Sequence, residues 1–301
     1  MNRTTFLSTH FPDFVEKWNK YYHNFKQVNY WCISSDYCLD DKKKPNDVMT
    51  FTIFPFDNSY FIKENIRQHL HKDIKEFQNL SEDVIKYIKE SPYFFSIALI
   101  IKNKNKIFDI EGAKKRLDDL IEYIKTWPEP KKEEFIHKIK KLRNYLDRKD
   151  VKLKFLSNIS ITVYIMSEII EFLLLKTNMK HVVWISDRDG IINFQDGVVH
   201  ELIRIGYANL VRNRVSDNKV YTVLEDKQYN KDLLDDFIRI PDHISGAIAS
   251  MYFKDVDRVP EKHYNLFDKS IVDNERIYVI HLEHDNDVDI LSNVIFMREK
   301  K

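Results

Sequence analysis

The run Val182-Val183-Trp184-Ile185-Ser186, followed at once by Asp187-Arg188-Asp189-Gly190, constrains this chain more than any other stretch. A short apolar segment bounded by turn residues reads as a central parallel strand buried on both faces. Parallel strands need crossover connections, so the segment points to an α/β architecture. In open α/β sheets, ligands and metals gather at the carboxyl ends of such strands. Here that end carries two carboxylates. Asp187 and Asp189 are two residues apart, so continued extension projects both to one side. Close together without a cation they repel, and one tends to take up a proton. A divalent metal removes the conflict. A polar turn after a core strand accounts for the same residues equally well, and only acids elsewhere in the chain favour the metal.

The remaining elements follow from periodicity. Residues 28–35 read as a first strand ending at Asp36, and 48–55 alternate as a second strand that pairs back on it. Helical spacing runs from about Phe61 to Lys89, and 93–101 form a third strand. A charged helical stretch from 110 to 150 is broken at Trp127-Pro128-Glu129-Pro130. Residues 156–177 read as a helix buried on the sheet, because Glu168 and Glu171 would be costly in lipid. After a strand at 181–186, Asp196 is expected to cap a helix reaching Leu210. A strand at 219–225 follows. Pro241 then suits the first turn of a helix that Gly246, Ala247 and Ala249 keep slim enough to lie on the sheet. Two strand-like runs, 276–283 and 291–298, close the chain as a hairpin around the acidic turn Asp285 to Asp289.

The expected fold is α/β, a mixed sheet of about five strands, three antiparallel and two parallel, flanked by helices. One domain is expected over 1–301, with a helical insertion at 102–155 and a C-terminal strand extension at 270–301.

Charge narrows the partners. Lys+Arg 48 against Asp+Glu 47 leaves a formal net charge of +1, so no global field announces nucleic acid or membrane. Only local basic stretches, Lys42–Lys44, Lys102–Lys106 and Lys131–Lys154, could serve a polyanion, and a solvated, ion-paired helix face explains the last one as well. Cys32 and Cys38 make neither a disulfide framework nor a zinc set and fit a reducing, cytoplasmic setting. Met1 to Phe14 does not read as a signal peptide, and no membrane partner is expected. A nucleophile elbow and a phosphate-binding glycine loop are both missing from the sequence. Five glycines also argue against dinucleotide binding.

Three strands, a helical stretch, then two strand–helix units is the order of the ribonuclease H-like fold. In it the first strand lies beside the fourth and parallel to it, which would bring Asp36 near Asp187. The helix after the fifth strand would bring Asp242 to the same place. Val183-Trp184-Ile185-Ser186-Asp187-Arg188 and Ile240-Pro241-Asp242-His243-Ile244-Ser245-Gly246-Ala247 resemble the fourth strand and late helix of domain-of-unknown-function family 3800, a group of RNase H-like proteins. Ile33-Ser34-Ser35-Asp36-Tyr37-Cys38 resembles the family's first strand in part, its Asp-Glu-Ser becoming Asp-Tyr-Cys or Ser-Asp-Tyr. The resemblance spans residues 28 to 252.

That resemblance implies a nuclease-like protein hydrolysing phosphodiester bonds of nucleic acid with Mg²⁺ or Mn²⁺, in a bacterial defence or mobile-element setting. Such sites hold two cations about 3.5–4 Å apart on oxygen ligands. Asp36, Asp187 and Asp242 are then the catalytic carboxylates, and together with Asp189 the metal ligands, with Asp40 a further candidate. Arg188 would contact a phosphate, and His243 would contact substrate or shuttle protons. Each has a plainer account. Asp36 starts a turn, Asp242 is an early-turn acid stabilised by the helix dipole, Arg188 makes an internal ion pair, and His243 is a core histidine. The alternative is a catalytically inactive member of the same fold, acting as a nucleic-acid-binding or protein-interaction module.

Overall fold

The computed structural model describes residues 4–70, 73–102, 109–128, 132–187, 190–212, 222–225, 231–285 and 288–294. Two short helices that the periodicity reading passed over come first, α1 (Phe6–His10) and α2 (Pro12–Tyr22). Thr5 and Ser8 close a reciprocal cap on α1, and Pro12 starts α2 where its missing N–H costs nothing. Then come β1 (Tyr30–Cys38), β2 (Asp47–Pro55), α3 (Ser59–His69), α4 (Glu82–Glu90) and β3 (Phe95–Lys102). Ser81 caps α4 through Val84 N–H. The charged stretch forms α5 (Ile110–Lys125), capped by Asp109, and α6 (Lys132–Tyr145). The rest is α7 (Leu153–Lys176), β4 (His181–Ser186), α8 (Gly190–Asn193), α9 (Val198–Arg212), β5 (Thr222–Glu225), α10 (Lys231–Ala249), α11 (Glu261–Leu266), β6 (Ile277–Asp285) and β7 (Val288–Asn293).

The strands form one sheet in the order β5-β4-β1-β2-β3-β6-β7. β1, β2 and β3 are an antiparallel meander, and β4 and β5 extend it in parallel beyond β1. On the other side β6 runs parallel to β3, and β7 closes the edge antiparallel to β6. The expected C-terminal hairpin is β6–β7, and it widens the sheet to seven strands.

Alternation along β1 divides the interior. Trp31 and Ile33 join one core, where Trp18, Phe14, Phe172 and Ile169 pack from α2 and α7. Cys32 belongs to the other, built with Phe237, Ile244 and Ile248 of α10 and with Ile66 and Ile88 of α3 and α4. Among the described residues α7 is the one helix long and apolar enough to cross a membrane, and it contributes Ile165, Met166 and Leu173 to the first core.

Four expectations need correction. Asp36 does not end β1; it lies inside the strand, opposite Thr50, because β2 keeps pairing as far as Cys38. Pro241 does not open a helix but sits inside α10, so Asp242 is in mid-helix and has no N-terminal dipole to lean on. Asp196 does not stand at the N-cap of α9, which begins at Val198 with Gly197 before it. It follows Gln195 and precedes Gly197, all three at positive φ (49°, 57° and 79°), in a kink leading into α9. β7 begins at Val288, so Asp289, expected in a turn, lies in a strand. Residues 219–221 and 295–298, expected as parts of strands, lie outside the described residues.

The basic stretch of α6 is largely ion-paired within the chain. Lys138 meets Glu201, Lys141 meets Asp196 at 2.5 Å, and Arg143 bridges Asp118 and Asp147.

Candidate functional site

The site begins with a register. Ser35 of β1 is the partner of Ser186 at the end of β4, and Asp187 N–H donates to Ser35 O at 3.0 Å, adding one more rung. Asp36 and Asp187 are thus neighbours across two parallel strands. Val183 and Ile185 face the α10 side, and the period of two carries Asp187 to that same side. Asp36 faces it too, and the Ser245 hydroxyl of α10 donates to its Oδ2. Asp242 lies one helical turn before Ser245, so the helix lays it over the strand pair. Three acids distant in sequence share one pocket of field. Asp36 feels both Asp242 and Asp187 as repelling charges.

Burial and repulsion set the protonation. Burial, then the Asp242 charge, raise the Asp36 carboxyl to about 8 against the pull of Ser245. Asp242 is raised to about 6, again by burial first, while a 2.7 Å hydrogen bond from Ile74 N–H opposes the shift. That N–H opens a short 3₁₀ turn, Ile74–Glu76, whose Asp73 adds a fourth negative charge beside Asp242. Two lysines enter the same field. Lys75 is bound chiefly to Asp73 and also feels Asp242 and Asp187. Lys44, from the loop joining β1 and β2, donates to Cys38 Sγ at 3.0 Å and lowers both Asp36 and Asp242.

The other expected residues divide. Arg188 and Asp189 lie outside the described residues. Asp40 adopts a left-handed φ of 59° and pairs with Lys154. That takes it out of the candidate ligand set. His243 is not placed to touch a substrate, being fully buried. Its Nδ1 lies 2.8 Å from Arg239 O, its ring meets Phe77 edge-on, and burial lowers it to about 4. The ring is a neutral core histidine, since charging it there would leave an ion in an apolar setting.

Sequence reasoning missed Ser245 and the Asp73–Ile74 turn, and named Lys44 only as part of a basic stretch, not beside the acids. Ser245 had a signal, standing three residues after Asp242 and so on the same helix face. Lys44 and Ile74 reach the acids through loops, and no spacing rule announces them.

The chain matches no family model, no curated protein and no solved structure. The reading of the site therefore rests on its own geometry and on the three short motifs.

Donor chemistry suits a hard divalent cation, for Asp36, Asp187 and Asp242 offer only oxygen. Ser245 and Ile74 each engage one oxygen, Oδ2, of Asp36 and Asp242, which holds these carboxylates in fixed orientations. Among the described residues, no three His, Cys, Asp or Glu side chains are already drawn together as a closed ligand set. A cation would have to draw the acids inward, which is the sense in which their mutual repulsion can be relieved.

Proposed function

We propose that this chain is an RNase H-like, metal-dependent nuclease that hydrolyses phosphodiester bonds of nucleic acid, in a bacterial defence or mobile-element setting. One observation carries the reading: Asp36 and Asp187 are neighbours on parallel strands, with Asp242 brought over them by α10. The strand order β5-β4-β1-β2-β3, three antiparallel and two parallel, supports the RNase H-like assignment. The motif resemblance of the late helix and fourth strand to family 3800 points the same way. The free thiols Cys32 and Cys38 support a reducing, cytoplasmic compartment.

Under this reading Asp36, Asp187 and Asp242 hold Mg²⁺ or Mn²⁺, which would activate water and stabilise the leaving oxygen. The protein's own part is orientation. Ser245 fixes Asp36, the Ile74 N–H fixes Asp242, and the Ser35–Asp187 rung fixes the end of β4. Lys44 and Lys75 offset some of the negative charge and would face a phosphate entering the site.

The test is cleavage of labelled DNA and RNA, single- and double-stranded, with Mg²⁺ or Mn²⁺ and with chelator. Cleavage that needs the metal and disappears in Asp187→Ala is expected. No cleavage of any substrate, with no calorimetric Mn²⁺ binding, overturns the proposal.

Lys44 favours one second reading. A lysine that lowers two of the three acids already supplies part of the charge a cation would bring. An inactive member of the fold, binding nucleic acid or a protein, would use it in this way.

A further inference from the structure

The sheet face that carries the three acids continues past the end of α10. There a cavity of about 650 Å³ is lined by Ile100 and Lys102 of β3 and His281 of β6. That is the size range of small-ligand sites. Its outer wall is the segment after α10, with Tyr252, Phe253, Lys254, Asp255 and Arg258. Pro45 and Asn46 form the side toward the acids, one and two residues after Lys44. Asn46 pins this wall by donating to Ile248 O and Met251 O.

From these features we infer that the cavity receives an unpaired base of a nucleic-acid strand whose backbone passes the Asp36–Asp187–Asp242 cluster. The inference rests on the nuclease reading and names what that site would hold beside the cleaved bond.

The chemistry is that of a base slot. The lining is mostly apolar, yet Phe253 is 46% exposed, a large aromatic ring left facing water. Phe253 is steadied edge-on by Phe267, with ring centroids 5.9 Å apart, and the Arg258 guanidinium lies 4.6 Å from the Tyr252 ring centroid. Stacking surfaces with guanidinium planes beside them suit any base, since every base has a π face. Among the described lining residues, Lys102, Lys254 and Arg258 are cations and Asp255 is an acid. Asp255 pairs with Arg258 at 3.9 Å and Lys102 is held by Pro45 O and Asn46 Oδ1, which leaves the described rim with a positive excess that suits a phosphate. Asp242 and Met251 are nine residues apart. α10 runs seven residues beyond Asp242 to Ala249, about 10 Å of helix, so the slot begins within reach of a nearby nucleotide of the same strand.

The test is fluorescence anisotropy in chelator with labelled oligothymidylate, oligouridylate and an abasic oligomer of equal length. At least one base-bearing strand should bind about tenfold more tightly than the abasic one. Phe253→Ala and Arg258→Glu should each weaken it by a similar factor without altering calorimetric Mn²⁺ binding. Equal affinity for the abasic strand, or unchanged affinity in both variants, overturns the proposal. If metal-dependent cleavage is present while the variants bind as wild type, only the slot is lost. If the slot behaves as described but nothing is ever cleaved, the hydrolase reading falls and the slot remains.

Discussion

Ser34 of β1 donates its hydroxyl hydrogen to the backbone carbonyl of Phe237 in α10, at 2.9 Å. Phe237 lies four residues before Pro241, so its carbonyl is the one left without an intrahelical donor by the proline. The strand supplies what the helix lacks, and the proline thereby locks α10 to the sheet beside Asp36. Ser34→Ala should cost about 1–3 kcal/mol, because a buried carbonyl loses its partner. Pro241→Ala returns an N–H to that carbonyl, so the Ser34→Ala cost should shrink in the Pro241→Ala background. Urea denaturation of the four proteins measures this. Strict additivity would show that the two groups do not share the carbonyl.

Asp36 should make stability fall with rising pH. Its carboxyl is raised to about 8 in the folded protein, against about 3.9 when unfolded. The folded state therefore holds the proton more tightly across that window. Its contribution is complete below about pH 4 and is lost as pH rises through about 8. His243 and His263, both lowered to about 4, act in the opposite sense and withdraw stability as pH falls from about 6.5. The slope due to Asp36 is thus best read above about pH 6.5. The melting temperature of wild type should drop there, and Asp36→Asn should flatten the curve. An unchanged slope in that variant would place the titration elsewhere.

Much of this arrangement could be read from residue pattern, and the exceptions have physical causes. Val182 to Ile185 is apolar on both faces and bordered by turn residues, so its place inside the sheet, between β5 and β1, was plain. The two-residue period and the parallel pairing then set Asp187 beside Asp36. Pro241 misled because its cost depends on a partner about two hundred residues away, Ser34, which local propensity cannot see. Asp36 looked like a turn residue because aspartate is rare in buried strands, yet the Ser245 hydroxyl of α10 offsets part of the cost of its burial. Gly246 was expected to thin the helix against the sheet. It does so against the 3₁₀ turn instead, for a Cβ there would meet Ile74 Cγ2 at 2.8 Å.

Gly246→Ala should accordingly push the Ile74 turn outward. The methyl has no room against a β-branched side chain, and overpacking of this kind costs about 1–3 kcal/mol. The same movement stretches the Ile74 N–H bond to Asp242. Loss of that bond, which opposes the upward shift, should raise Asp242 further. Hydrogen exchange at the Ile74 amide should accelerate in Gly246→Ala while amides of β1 and β2 stay protected. Unchanged protection of Ile74 would mean the helix has shifted instead of the turn.

Lys44→Met separates the two readings of the acid cluster. Without the ammonium, Asp36 and Asp242 lose a charge that lowers both, and their repulsion goes less opposed. Near pH 8 the variant should therefore be less stable than wild type in chelator. Methionine preserves the length and most of the apolar contacts of the lysine stem, so packing changes little. If the cluster is built for a divalent metal, Mn²⁺ should raise the melting temperature of both proteins, and by more in the variant, where no lysine competes for the acids. If the lysine is the cluster's permanent cation, Mn²⁺ should leave wild type unmoved and stabilise Lys44→Met alone. Melting curves of the two proteins across a Mn²⁺ titration decide between these outcomes.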